Sequence, residues 1–239
     1  MDEYNVPIII SLGGSVLAPG GRGKKAAPVK INMKLIDEFC ELIKEFDARL
    51  GIVVGGGATA RAYIGETAKM TDDKRMLDLV GIQATRINAQ VLISAMAKKG
   101  LLVNTIVPRT IEEAAQMFTT NKFVVMGGTE PGQTTDAVAV KLASTARSVK
   151  IINFSRVDAI YTEDPKKNKT AKKLQHITHK MLEDIILKSA HEPGQSMVFD
   201  QLATTLATAH NLELHFVGNI KDFGGALKGK KHKGTVVVD

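Results

Sequence analysis

Three glycine clusters punctuate the sequence: Gly13-Gly14-Ser15, Gly55-Gly56-Gly57 and Gly127-Gly128-Thr129. Each follows a short apolar run that reads as a buried strand, over residues 6–12, 50–54 and 122–126. In a parallel sheet the carboxyl ends of the strands share one edge, and ligands bind there. Glycines at that edge let a ligand approach the main chain, and the following helix offers unpaired N–H groups to an anion. Tight turns use glycine as well, so a single pair would say little. Three at one edge point to phosphate. Neither GxxxxGK[ST] nor GxGxxG is present.

The stretch from Gly128 through Thr129, Glu130, Pro131, Gly132, Gln133, Thr134 and Thr135 to Asp136 is the densest in chemistry. It combines a turn, three threonine hydroxyls and an acid opening an apolar helix. Capping by Thr134 or Thr135, with Asp136 favouring the helix dipole, explains one threonine and the acid. It leaves residues 127–133 without a role. Arg61 lies four residues after a triple glycine and carries a planar fork suited to phosphate, though a surface helix arginine is the plain alternative. Asp158 precedes a tight strand-end turn and is equally a structural or a catalytic candidate. The six histidines are scattered; His176 and His179 are three apart without a clustered acid or cysteine, so no metal site is expected. Cys40 sits on an apolar helix face as a small hydrophobe.

These residues need a scaffold, and the pattern supplies alternating strands and helices. Further strands are expected over 149–154 and 214–217, with 103–107 weaker and 235–238 closing the chain. Leu35, Phe39, Leu42, Ile43 and Phe46 share a helical face, with Asn32 as N-cap. Thr110 and Glu113 match a capping box. The longest helix is expected over 73–99, stopped by Gly100; its apolar residues fill more than one stripe, so it is buried on two sides or packs on another subunit. The fold class is α/β: a mainly parallel central sheet with helices on both faces, in one domain. Residues 18–30, rich in glycine, proline and lysine, read as a flexible insertion.

Composition bounds the function classes. The chain has 239 residues, 44% hydrophobic and 24% charged, an ordinary globular balance. No apolar run reaches the roughly 20 residues of a membrane helix, and the start Met1-Asp2-Glu3 lacks a signal-like pattern. One cysteine excludes an internal disulfide. A cytoplasmic protein without a membrane partner is expected. The net charge is +7, but aromatics are only 5% and the lysine pairs 166–167 and 172–173 fall in expected turns, which argues against nucleic acid and for a solvated surface or a small anionic ligand.

Five blocks in order carry a family resemblance: residues 12–17 (LGGSVL), 53–57 (VVGGG) with Arg61, 78–89 (DLVGIQATRINA), 127–136 (GGTEPGQTTD) and 157–165 (VDAIYTEDP). The chain resembles the archaeal-type uridylate (UMP) kinases of the amino-acid kinase superfamily. The resemblance implies a three-layer sandwich with an acceptor lobe over about 1–147 and an ATP lobe over about 148–239. It implies transfer of the ATP γ-phosphoryl to UMP with Mg²⁺, in a cytoplasmic homo-oligomer, typically a hexamer.

By position it implies Gly14, Ser15, Gly57 and Arg61 along the phosphates. Gly56, Asp78 and residues Thr129, Glu130, Pro131, Gly132, Gln133, Thr134 and Thr135 would meet UMP. Ser155, Arg156, Tyr161 and Asp164 would line the ATP side. Asp136, Arg61 and Arg156 are the catalytic candidates, Asp136 as an orienter of cationic groups or of water around Mg²⁺.

Three positions depart from the family pattern. Ser11 stands where many members carry a first-strand lysine, Arg156 where a small polar residue or lysine is usual, and Ala159 where glycine is usual, which implies a restricted turn. A non-catalytic nucleotide-binding or metal-storage protein on the same fold is the alternative.

Overall fold

The computed structural model describes residues 6–20, 29–165, 167–190 and 199–239. Most of the expected insertion, including Lys24 and Lys25, lies outside the described residues, as does Lys166.

Five central strands are parallel: β1 (Ile8–Leu12), β2 (Leu50–Val54), β3 (Phe123–Met126), β4 (Lys150–Phe154) and β8 (Glu213–Val217). β7 (His176–Ile177) and β9 (Thr235–Val237) extend the sheet, whose order is β3-β2-β1-β4-β8-β9-β7. β9 runs antiparallel to β8, the one reversal in the sheet's described pairings. β5 (Ile160–Tyr161) and β6 (Lys173–Leu174) form a separate antiparallel pair.

Both sheet faces are apolar, as near-continuous Val/Ile/Leu strands require. Ile10, Leu12, Ile52, Val54, Val125, Ile152 and Phe154 point to one core. That core is closed by α1 (Gly14–Leu17), α2 (Met33–Lys44), α4 (Lys74–Lys98) and α9 (Ile220–Leu227). Ile9, Val53, Val124, Met126, Ile151, Leu214 and Phe216 point to the other. There α5 (Ile111–Met117), α6 (Thr135–Thr145), α7 (His179–Ala190) and α8 (Gln201–Ala209) close the layer. α3 (Gly57–Thr67) lies on α4 and buries little of itself, Thr59 apart.

The cap signals work as the sequence suggests. Asn32 accepts the Leu35 N–H, Asp73 those of Arg75 and Met76, and Thr110 that of Glu113. Glu113 returns the bond one residue early, to the Arg109 N–H. Gly100 ends α4 at φ +74°.

Two expectations are corrected. Residues 103–107 form no strand, only a single bridge from Val103 to Phe123. The reason is Asn104, whose side-chain amide takes the ladder's place by accepting from Val125 N–H and donating to Val125 C=O. Lys172 and Lys173 are not a solvated turn pair: Lys173 lies on β6 and is ion-paired at 2.5 Å to Asp158.

Candidate active site

The first two glycine clusters close on each other at the carboxyl edge of β1 and β2. A Cβ on Gly14 would stand 2.2 Å from the Gly57 nitrogen, and one on Gly57 2.1 Å from the Gly14 carbonyl oxygen. Gly57 also has φ +55°, a left-handed conformation that favours glycine. The two turns therefore stack main chain on main chain, with the N-terminus of α3 beside them. Arg61, one turn into α3, joins them by donating to Ser15 Oγ at 3.3 Å and to the Gly20 carbonyl at 3.0 Å. It is exposed. Ser155, just past β4, abuts the same edge: a Cβ on Gly13 would lie 3.1 Å from its Cβ.

One face of α4 holds the second and third glycine clusters. Asn88 is buried and donates through Nδ2 to the carbonyls of Gly55 and Gly56, both at 2.9 Å, while accepting the Thr59 hydroxyl. Thr85 Oγ1 accepts the Gly128 N–H at 2.7 Å. Arg86 donates to the carbonyls of Gly128, Arg109 and Thr129. About two turns earlier, Asp78 accepts the Gly132 N–H at 2.8 Å. The residues over 129–135 are thus strapped to α4 at their start and again at Gly132. Within them Gln133 donates to Glu130, and Thr134 caps α6 at the Ala137 N–H while its hydroxyl donates to Asp200, itself the N-cap of α8. Sequence reading assigned no role to Thr85, Arg86, Asn88 or Asp200. Thr85 and Asn88 are three apart on one helical face, a signal only once the loops they meet are known.

Asp136 sits in the first turn of α6, over the ends of β1 and β4. Ser11 and Asn153 are register partners on those strands, and both donate to the same oxygen, Oδ1 of Asp136, at 2.6 and 2.9 Å. Burial pushes the Asp136 carboxyl up to about 6; the Ser11 bond lowers it, the Asp200 charge raises it and the Asn153 bond lowers it. A carboxylate so placed changes charge close to neutral pH.

Past β4, against Gly218, Asp158 gathers two groups. Tyr161 donates its hydroxyl to Oδ1 at 3.1 Å, and Lys173 its ammonium to Oδ2 while lying 5.7 Å from the Tyr161 ring centre. Burial pushes the Asp158 carboxyl up, but Lys173 and Tyr161 outweigh it and hold it below the usual range. Lys173 also donates to the Lys233 carbonyl, tying the β5–β6 pair to the loop before β9. The Asp164 carbonyl accepts from Lys167 and Asn168 in a turn between those strands. Arg156 is exposed, next to Ser155.

Residues 7–218 match the Amino acid kinase family. The chain belongs to the amino acid kinase family. It is 36% identical to the uridylate kinase of Methanococcus vannielii over 233 residues, covering 97% of this chain and 99% of that one. Against the uridylate kinase of Pyrococcus abyssi it is 37% identical over 238 residues, covering 96% and 98%. Among solved structures, the uridylate kinase of Archaeoglobus fulgidus superposes with a TM-score of 0.83 at 32% identity, covering 97% of this chain and 100% of that one.

Two departures from the amino acid kinase pattern gain a structural reason. Ser11 is buried and spends its hydroxyl on Asp136 rather than on an approaching ligand. Ala159 does not have a positive φ, so the turn that was expected to be restricted accepts a Cβ. Among the described residues no three His, Cys, Asp or Glu side chains gather around a metal position. Main-chain N–H groups hold phosphate oxygens and cannot ligate a cation, so a Mg²⁺ here would be carried by phosphate oxygens and waters.

Proposed function

We propose that this amino acid kinase transfers the γ-phosphoryl of ATP to UMP. An oxygen of the UMP phosphate bonds to the γ-phosphorus as the bond to the β,γ-bridging oxygen breaks, leaving UDP and ADP. The observation that carries this reading is the pair of glycine turns stacked at Gly14 and Gly57 with Asp136 anchored beside them. Phosphoryl transfer asks for positioning and for partial positive charge around the equatorial oxygens more than for covalent help. Fixed main-chain N–H groups supply both without reorganising. The names of the full-length relatives support UMP as acceptor.

In this reading residues 1–147 form the acceptor side and 148–239 the ATP side. Gly56 and residues 129–135 hold UMP, and Asp78 acts on the uridine side through the Gly132 turn it grips. Gly14, Ser15, Gly57 and Arg61 face the phosphates at the junction. Ser155, Arg156, Tyr161 and Asp164 line the ATP side. Bound with the ATP phosphates, Mg²⁺ would neutralise part of their charge. Asp136 and Arg61 orient the reacting groups, and Arg156 supplies a cation to the γ-phosphoryl. The protein works as a cytoplasmic homo-oligomer, a hexamer by family likeness. No helix among the described residues is long and apolar enough to cross a membrane.

The test is an acceptor screen with ATP and Mg²⁺, offering UMP, CMP and carbamate in parallel and reading products by mass. UDP as the dominant product is expected. Phosphorylation of carbamate, or nucleotide binding without any product, would overturn the reading.

A further inference from the structure

Ser11 and Asn153 interrupt the buried apolar runs of β1 and β4, and both are buried. A polar side chain in such a place costs stability unless it is hydrogen-bonded. Ser11 meets this with one bond, to Asp136. Asn153 points its Nδ2 at the same oxygen and leaves its own Oδ1 buried with no hydrogen-bond partner among the described residues. The reverse orientation would set two oxygens against each other. Asn153 therefore gives up one bond to make the other, which marks the contact with Asp136 as the one that decides its orientation.

Both donors converge on Oδ1, and a hydroxyl and an amide N–H donate best to an ionised carboxylate. The charged group that faces Asp136 from a packed helix is Asp200, at the start of α8, which repels a negative charge. β1 and β4 offer only the neutral Ser11 and Asn153.

We propose that Ser11 and Asn153 are positioning residues that keep the buried Asp136 ionised and fixed through Oδ1, reserving its Oδ2 side for the reacting groups. The inference rests on the phosphoryl-transfer reading for its kinetic consequence, but not for its electrostatic one. Loss of either donor removes a charge-assisted hydrogen bond, so the Asp136 carboxyl moves further up from about 6.

Three variants test this: Ser11→Ala, Asn153→Leu and the conservative Ser11→Thr. The first readout is the pH profile of kcat with ATP and UMP. In the wild type kcat should fall on the acid side as Asp136 takes up its proton, near 6. Ser11→Ala and Asn153→Leu should each raise that pKa by about one unit and lower kcat at pH 7 about tenfold, with both KM values changed less than about threefold. Ser11→Thr should restore the wild-type profile.

The second readout needs no substrate. The Tm difference between a protein and its Asp136→Asn counterpart, followed across pH, bends at the pKa of Asp136 in the folded state. That bend should move upward by about one unit in the Ser11→Ala background. If neither the acid limb nor the bend moves in Ser11→Ala, the inference is wrong, even if kcat drops. If Ser11→Thr behaves like Ser11→Ala, it is wrong as well. If the bend moves but ATP and UMP give no product, the positioning role stands and the UMP kinase reading falls. Ser11→Ala removes a single buried oxygen, so it decides the matter even if Asn153→Leu does not fold.

Discussion

Asp136 sets burial against ionisation at a single residue. Its folded-state carboxyl lies near 6, above its ordinary 3.8. The sign follows from proton linkage: the folded state binds the proton more tightly than the unfolded chain. Its contribution to stability is therefore full below 3.8 and is lost as pH rises through about 6. At pH 7.5 the ionised group costs stability. Asp136→Asn keeps an oxygen for the Ser11 and Asn153 donors and removes the charge. Its Tm at pH 7.5 should exceed that of the wild type by about 2–4 °C, the gap narrowing as pH falls from about 6 toward 3.8; a lower Tm at pH 7.5 would contradict this.

Arg156 is the second prediction at this scale. As a cation for the γ-phosphoryl, its loss in Arg156→Ala should lower kcat by about 10²–10³, with Arg156→Lys recovering part. An unchanged kcat would make it a surface arginine. Asp136 was legible in the sequence as an acid after two threonines at a helix start. Its two donors were not, although a serine and an asparagine breaking two apolar strands were visible; nothing along the chain says that residues 11 and 153 become register partners.

At the scale of elements, α4 is the strut that holds the chemistry in place. Its ends were readable from Asp73 and Gly100, because caps are local. What its face grips was not, because Asn88 and Thr85 meet loops 33 and 43 residues away. The short β5, β6 and β7 escaped for a different reason: two residues carry no periodicity. Asn88→Leu should test the strut. It strands the carbonyls of Gly55 and Gly56 and the Thr59 hydroxyl, a loss of about 3 kcal/mol or roughly 6–12 °C in Tm. With the second glycine turn released, the KM for UMP should rise at least about fivefold. A stable variant with wild-type KM would show that the turns hold themselves.

For the whole molecule, alternation of strands and helices foretold the parallel, doubly covered sheet, since each βαβ unit buries both strand faces. It did not foretell that β9 reverses beside β8, because α9 stands between the two strands just as a helix does in a parallel βαβ unit. The α4 helix keeps one expectation open to test. Met76, Leu79 and Ile87 are exposed at 54%, 40% and 52% on a helix whose other face is core. Covering them requires another chain, so light scattering at micromolar concentration should give an oligomer. A monomer would mean that these side chains face water.

The most direct test of phosphoryl transfer at the paired glycine turns is steady-state UDP formation from ATP and UMP, measured at pH 7.5 for the wild type and Asp136→Asn together. The wild type should turn over, and the variant should lose at least about tenfold in kcat with both KM values nearly unchanged, because the carboxylate acts where charge develops. Equal turnover by the two proteins would place the chemistry elsewhere, and a wild type that forms no UDP would leave the fold without the activity proposed for it.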